Sequence, residues 1–98
     1  MPRVKWSYPA LRDVARLHDF LALKSKDAAG RAAKAIRQGV KGLTKHPEIG
    51  RSVEDLPLEY REQVIKFGQS AYVALYRYDR KEAVILAIRH AREYGYQE

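Results

Sequence analysis

Side chains that carry out chemistry are sparse in this sequence, and their spacing excludes several kinds of site. There is no cysteine among the 98 residues, which excludes disulfides and thiolate-bound metals. The three histidines, His18, His46 and His90, are scattered without the short spacing of metal ligands. We therefore expect no metal site and no other cofactor.

His90 and two arginines on predicted strands are the candidate reactive or ligand-binding groups. A histidine titrates near neutral pH and can act as a general base, although a strand-terminal histidine is at least as often a structural hydrogen-bonding residue. Arg61 and Arg77 could bind phosphate or the acidic groups of a partner. Equally, they could form surface ion pairs with nearby acidic residues, namely Glu62, Asp79 and Glu82.

Aromatic residues and a Gly-Arg pair form a second group of candidates. Tyr72, Tyr76 and Tyr78 share one face of a predicted strand and could stack on nucleic-acid bases. We favour a core position beneath the helices, with the hydroxyls at its rim. Arg51 follows Gly50 in a predicted loop, where its guanidinium could orient the loop by bonding backbone carbonyls.

The net charge of +7 comes entirely from the first half of the chain. Residues 1–50 carry eleven Lys/Arg against four Asp/Glu, whereas residues 51–98 carry eight of each. Such an excess favours an acidic partner: nucleic acid, an acidic protein or an anionic surface. The basic residues of the predicted helices are Arg12, Arg16, Lys24, Arg31, Lys34, Lys41 and Lys45. They could dock on that partner or simply form a solvated face.

Length and composition indicate a single globular domain over residues 1–98. With 46% hydrophobic residues and 32% charged residues, the chain can build a compact core and does not resemble a disordered segment. No stretch approaches the roughly 18 apolar residues that a membrane span needs. The amino terminus also lacks the apolar segment of a secretion signal. We therefore expect a cytoplasmic protein without a membrane partner.

The first third of the chain is predicted to form a strand followed by a helix. Alternation of Val4, Trp6 and Tyr8 with polar residues is typical of a short strand with one buried face. Ser7 can cap a helix at about 9–24, with Pro9 in its first turn. The predicted buried face consists of Leu11, Val14, Ala15, His18, Leu21 and Ala22.

A second amphipathic helix is predicted at about 27–46. Asp27 is its plausible cap, and His46-Pro47 ends it. Gly39 and Gly42 each cost about 1 kcal/mol relative to alanine, so we expect its last turns to be the looser ones. The short connection to the first helix indicates an antiparallel helical hairpin.

Residues 47–59 contain two prolines and a glycine, which predicts a loop, and three strands follow at 61–67, 71–78 and 83–90. Their short connections can join only antiparallel neighbours. The last strand is apolar on both faces, which indicates a central position. The predicted fold class is α+β, in the order β-α-α-β-β-β, with a helical hairpin packed on a small, mainly antiparallel sheet and the first strand at an edge.

This ordered set of elements and motifs resembles the RelE/ParE superfamily of toxins from type II toxin–antitoxin systems. The matching features include Pro47-Glu48-Ile49-Gly50-Arg51 after the second helix and Arg61 at the start of a strand. Tyr72-Val73-Ala74-Leu75-Tyr76-Arg77 and the segment from Ile85 to Arg92 complete the likeness. Together they cover nearly the whole chain.

The resemblance implies a growth-inhibiting toxin that a cognate antitoxin neutralises by wrapping it with an extended or helical segment. Such complexes often repress their own operon, which implies contact with operator DNA only through the antitoxin. RelE-like members of the superfamily cleave mRNA in the ribosomal A site. ParE-like members inhibit DNA gyrase and are not nucleases. A weaker alternative outside the toxin class is a small basic nucleic-acid-binding module, which would need an aromatic platform or recognition helix.

The resemblance also implies two sets of functional residues. Metal-free RNA cleavage needs a base, a cation for the phosphorane charge and an acid. A RelE-like catalytic set would be Arg61, Arg77, His90 and Arg92, with Lys66 and Tyr94 as further candidates. Contacts to the target or antitoxin are expected from Arg51, Arg61, Arg77, Arg80 and Tyr94. The middle strands are poor in lysine, which favours the gyrase inhibitor over the endoribonuclease.

Overall fold

The computed structural model describes residues 2–93 and 95–96 and consists of a helical hairpin packed on a five-stranded sheet. Its elements are β1 (Arg3–Trp6), α1 (Tyr8–Ala22), α2 (Lys26–Lys41), a 3-10 turn (Gly42–Thr44), β2 (Arg51–Ser52), β3 (Tyr60–Phe67), β4 (Ser70–Tyr78) and β5 (Glu82–His90). The predicted α+β class and element order are confirmed. The structure also contains one short strand, β2, that the sequence did not predict.

Strand order in the sheet is β1-β5-β4-β3-β2. The antiparallel meander of β3, β4 and β5 is as predicted, and β1 lies at an edge, parallel to β5. The region 47–59 was predicted to be loop throughout, which is wrong at β2. Only Arg51 and Ser52 pair there, with Glu62 and Arg61, and two residues are too few to show a strand period.

The two faces of the sheet have different surroundings. Tyr72, Ala74 and Tyr76 of β4 belong to the core beneath the helices, as predicted for the tyrosines. Alternation then places Arg77 on the other face, away from the hairpin. No helix in the described part of the chain is long and apolar enough to cross a membrane.

The start of α1 corrects the prediction for Tyr8, which opens the helix, is 79% exposed and is not a strand residue. The cap at Ser7 is confirmed, because its Oγ accepts the Ala10 N–H at 3.2 Å. The same hydroxyl donates to the Leu86 carbonyl of β5. Ser7 therefore fixes both the beginning of α1 and its contact with the sheet.

The predicted buried face of α1 is only partly confirmed: Val14 and Leu21 pack against the core, but Leu11 and Ala15 are exposed, and the fully buried positions are Ala10, Asp13 and Leu17. The reason is that β1 is shorter than β5. The last part of the β5 backbone therefore has no strand partner on the side where β1 pairs. There the Asp13 carboxylate accepts the buried Ile88 N–H at 2.9 Å. An acidic residue therefore faces inward, and the helix is rotated relative to its apolar pattern.

The boundaries of α2 differ from the prediction in two ways. Its cap is Ser25, whose Oγ accepts the Ala28 N–H, whereas Asp27 lies in the first turn and pairs with Arg31 at 2.9 Å. The helix ends at Lys41, earlier than the predicted end near residue 46, and continues as the 3-10 turn Gly42–Thr44. A Cβ at Gly39 would lie 2.8 Å from Ile65, so the glycine lets α2 approach the sheet closely.

Candidate functional site

The loop between α2 and β3 is held rigidly by two side chains of the sheet. Arg61 donates from one guanidinium nitrogen to the carbonyls of Glu48 and Gly50, at 2.9 and 2.7 Å. The hydroxyl of Tyr76 donates to the Pro47 carbonyl at 2.7 Å and accepts the Gly50 N–H at 2.9 Å. The carbonyl-bonding role anticipated for Arg51 thus belongs to Arg61.

Gly50 is required by this arrangement. A Cβ at that position would lie 2.7 Å from the Tyr76 ring and hydroxyl and 2.8 Å from the Glu62 carbonyl. Because backbone and a fully buried ring flank it, neither neighbour can move aside easily. The anchored loop, residues 47–51, holds Ile49 at 63% exposure and Arg51 at the surface.

A charge cluster lies on the sheet face that the helices leave open, with Glu62 at its centre. One carboxylate oxygen accepts from Arg51 Nε at 3.3 Å. The other accepts the Tyr96 hydroxyl at 2.5 Å and lies 3.8 Å from Arg89. The Arg89 guanidinium also stacks 5.3 Å from the centre of the Tyr96 ring. Arg51 is therefore tied to the sheet while remaining largely exposed.

The other predicted arginines are dispersed over the structure. Arg77 pairs with Glu59 at 3.2 Å, and both side chains are partly exposed. Arg80 lies exposed in the β4–β5 turn with a φ of 75°. Arg92 is exposed just after β5, and Tyr94 lies outside the described residues. The structure does not gather Arg77, Arg80 and Arg92 into one site.

Both ring nitrogens of His90 are engaged within the fold. Nδ1 accepts the backbone N–H of Arg92 at 3.1 Å, so the ring proton of the neutral imidazole belongs on Nε2. Nε2 lies 3.0 Å from Ser70 Oγ, to which it donates. The ring also meets Tyr72 edge-on at 5.4 Å. The ring is thus held by the Arg92 backbone, by Ser70 and by Tyr72.

The predicted catalytic residues fall into two separate groups, His90 with Arg92 at one end of β4 and Arg61 with Arg77 at the other. His90 is opposite Tyr72 of β4, whereas Arg77 lies five residues further along that strand. At about 3.4 Å per residue, this separates them by about 17 Å. Arg61 pairs with Tyr76 and shares its helix-side face, whereas Arg77 points to the open face. No phosphate could contact His90 and both arginines together.

Three tyrosines of the fold have a raised pKa, and two of them, Tyr76 and Tyr96, donate hydrogen bonds through their hydroxyls. Burial raises the pKa of Tyr72 and Tyr76 above the ordinary phenol value. Burial also raises the pKa of Tyr96, and its hydrogen bond to the Glu62 carboxylate adds to this effect. Among residues 2–93 and 95–96, no three His, Cys, Asp or Glu side chains lie where they could hold a metal ion.

Large apolar side chains are exposed in two regions. One is α1, with Tyr8, Leu11, Phe20 and Leu23. The other group comprises Ile49 in the anchored loop, Leu56 and Leu58 between β2 and β3, and Val64 of β3. Exposed apolar groups beside anchored charges are suited to binding a macromolecule rather than to transforming a small substrate.

Sequence reasoning missed the residues that organise this surface. Glu62 lies on a strand where alternation of residues suggests an exposed charge, and its three partners come from distant segments. The register of the sheet brings Arg89 to Glu62, and the last residues of the chain bring Tyr96 to it. The buried carboxylate of Asp13 was missed because nothing local marks it as an acceptor for β5.

Comparison with known proteins identifies relatives along almost the whole chain. The family described as "ParE toxin of type II toxin-antitoxin system, parDE" matches residues 4–94. Toxin RelE3 of Caulobacter vibrioides is 32% identical over 93 residues, which cover 95% of this chain and 98% of the relative. Toxin RelE1 of the same organism is 37% identical over 87 residues, covering 89% and 90%.

A solved structure has a similar architecture. It is titled "Chromosomal ParDE TA system from P. aeruginosa" and matches with a TM-score of 0.71. The match covers 92% of this chain and 96% of the other, at 24% identity. At that level of identity the likeness supports the fold, namely two helices on a mostly antiparallel five-stranded sheet.

Proposed function

The chain belongs to the ParE toxin family of type II toxin–antitoxin systems, and from this premise we propose that it inhibits DNA gyrase by binding rather than by cleaving RNA. Membership of the family gives the chain a cognate antitoxin as its partner. What we propose is the identity of the cellular target and the contacts that the chain makes with it.

One observation carries the choice of a non-enzymatic mechanism. A ribonuclease that works without metal must place a base, a cation and an acid around one phosphate. Here His90 is about 17 Å from Arg77 along the sheet, at about 3.4 Å per residue, and its nitrogens bond Ser70 and the Arg92 backbone. Arg61 is committed to two loop carbonyls.

We assign target contact to the anchored loop and the open sheet face beside it. Ile49 supplies an exposed apolar group and Arg51 an exposed cation, and both are held by a loop bonded to Arg61 and Tyr76. A preordered loop loses little conformational freedom on binding, which favours affinity. Arg77 and Arg80, near the end of β4, remain candidate contacts, as does Tyr94, which lies outside the described residues.

We place the antitoxin on the outward side of α1. Tyr8, Leu11 and Ala15 follow the three-and-four spacing of a helix face, yet all three are exposed. The apolar pattern that predicts a buried face is therefore present but is not covered within the chain. An amphipathic segment of the antitoxin would bury it by laying its own apolar face in register.

The endoribonuclease remains the second candidate, favoured by the names of the relatives RelE3 and RelE1. In that case Arg61, Arg77, His90 and Arg92 would have to be drawn together on the ribosome. This requires breaking the hydrogen bonds that now fix Arg61 and His90.

A growth-arrest assay with His90→Gln tests the proposal against this alternative. We expect the variant to arrest growth as the wild type does and to induce the DNA-damage response. Ser70→Ala is a matched control, since it removes the partner of His90 without touching the imidazole. If His90→Gln abolishes toxicity while Ser70→Ala preserves it, and both remain folded and bind antitoxin, the histidine is catalytic and the proposal is wrong.

A further inference from the structure

We propose that the outer face of α2 binds the phosphate backbone of duplex DNA without sequence specificity. The surface, called the α2 ridge here, consists of Lys26, Lys34, Arg37 and Lys41. This proposal goes beyond gyrase inhibition, because it requires neither gyrase nor antitoxin. It adds a direct DNA contact to the contact that the family resemblance assigns to the antitoxin.

The ridge is straight and continuous because its residues follow the helical repeat. Lys34, Arg37 and Lys41 lie eight, eleven and fifteen positions after Lys26, which puts all four on one side of the helix. All are exposed. At about 1.5 Å per residue, the ridge is about 22 Å long.

The charges of the ridge are not neutralised within the described part of the chain. The ion pairs in the described residues are formed by cations outside the ridge, such as Arg16 with Glu93 and Arg31 with Asp27. None of the described ion pairs or hydrogen bonds uses the charged side chain of a ridge residue; the Thr44 hydroxyl bonds only the backbone carbonyl of Lys41. The ridge therefore contributes four unneutralised positive charges to the excess of the first half of the sequence.

A groove extends the ridge toward the edge of the sheet. It has a volume of about 470 Å³ and lies between β1 and the end of α2. Arg3, Arg37 and Lys41 line it, and Lys5 at its wall is paired with Glu82 at 3.3 Å. Arg3 is exposed and has no acidic partner among the described residues, so it adds a fifth free cation.

Gly30 interrupts the ridge between Lys26 and Lys34, at an exposed position. A glycine in a helix interior is destabilising relative to alanine. Nothing lies within 4 Å of where its Cβ would be, so no contact within the chain requires glycine. Absence of a side chain there allows the helix backbone to approach a flat or grooved polyanion.

The composition of the ridge favours DNA over other acidic partners. Protein interfaces are enriched in aromatic residues and depleted of lysine, whereas three of the four ridge residues are lysines and none is apolar. Single-stranded nucleic acid is usually held by stacking on aromatic residues, which the ridge lacks. The major groove of B-form DNA admits an α-helix, whereas that of A-form RNA is too narrow.

The decisive measurement is the affinity of the purified full-length chain for a fluorescent mixed-sequence DNA duplex as salt is varied. Each phosphate contact contributes about −0.9 to the slope of log affinity against log salt, so five cations give about −4.5. Affinity should then fall about 500-fold between 50 and 200 mM salt. A slope near zero or undetectable binding at 50 mM salt overturns the proposal.

Charge-reversed variants locate the binding surface. Lys34→Glu/Lys41→Glu should weaken binding by at least about 100-fold at 50 mM salt and reduce the magnitude of the slope by about 2. The control Lys66→Glu/Arg92→Glu makes the same change in net charge at the far end of β3 and β5, and should retain most of the affinity. Equal losses in the two variants would mean that net charge alone drives binding, which overturns the assignment to the ridge.

Two further arms test the choice of partner and the role of Gly30. Duplex RNA or polyglutamate that competes better than duplex DNA at equal charge overturns the commitment to DNA. Gly30→Gln should raise the thermal midpoint and weaken DNA binding several-fold without changing net charge. Unchanged affinity in that folded variant overturns the close approach of α2 to the backbone.

Discussion

Substitution Tyr76→Phe isolates the anchoring of the loop that we assign to target contact. The ring is fully buried and its hydroxyl makes two hydrogen bonds, one from Gly50 N–H and one to the Pro47 carbonyl. Phenylalanine fills the same space, so the change removes the hydrogen bonds and leaves the packing. The experiment therefore measures the hydroxyl alone.

The magnitude of the loss follows from the burial of the two partners. A buried N–H left without an acceptor costs about 1–3 kcal/mol, and the Gly50 N–H is buried. The Pro47 carbonyl is partly exposed and can bond to water, so it adds about 1 kcal/mol or less. We therefore expect a loss of about 2–3 kcal/mol. For a chain of this size that corresponds to a fall of about 8–24 °C in the thermal midpoint.

Urea denaturation of Tyr76→Phe and of Tyr78→Phe provides the test. Tyr78 is half-buried on the same strand, and its hydroxyl makes no hydrogen bond among the described residues, so its loss should change stability by less than about 0.5 kcal/mol. Equal effects of the two substitutions would refute the argument that Tyr76 anchors residues 47–51. A change in the denaturant slope would instead indicate an altered unfolded state.

Three further predictions concern the residues that hold the fold together. Asp13→Ala leaves the Ile88 N–H buried without a partner and should lower the unfolding free energy by about 2–3 kcal/mol. Asp13→Asn keeps an acceptor, so its loss of unfolding free energy should be less than half as large. Urea denaturation measures both. Gly50→Ala should destabilise by about 3 kcal/mol, but Gly42→Ala, whose Cβ would meet nothing within 4 Å, should be neutral or stabilising in thermal melts. The pKa of Tyr72, Tyr76 and Tyr96 is raised in the folded state. The free energy of unfolding should therefore keep its full value at pH below the unfolded phenol pKa of about 10, and it should decline as the pH rises above that value. Denaturation at pH 8 and 10.5 tests that sign, and Tyr96→Phe should make the decline shallower.

Much of the architecture could be predicted because it depends on local patterns. Strand alternation and short connections determine the meander of β3, β4 and β5. Ser7 followed by Pro9 marks the start of α1 to within one residue. The rotation of α1 could not be predicted, because it is set by the bond between Asp13 and the free edge of β5, 75 positions away in sequence.

The candidate site was less predictable, because its organising contacts depend on register. Arg61 was identified as functional from its type, but its bonds to Glu48 and Gly50 require the loop to fold back on β3. His90 was identified as a possible base, and only the structure shows Ser70 and the Arg92 backbone bonded to its ring nitrogens. Side-chain chemistry suggested the roles, and strand pairing determined where each side chain lies.

The misassigned face of α1 is informative in itself. Its apolar residues Leu11 and Ala15 obey the pattern of a buried surface but face solvent. A pattern of this kind, left uncovered within one chain, is typical of a surface that a partner covers. This agrees with the cognate antitoxin that membership of the family implies.

Gyrase supercoiling and coupled translation with mapping of mRNA ends, run in parallel with the purified chain, test the central claim most directly. We expect supercoiling to be lost at toxin excess while ribosome-bound mRNA stays intact, and added antitoxin to restore supercoiling. Cleavage of mRNA with normal supercoiling would contradict the account and assign catalysis to residues that this structure holds apart.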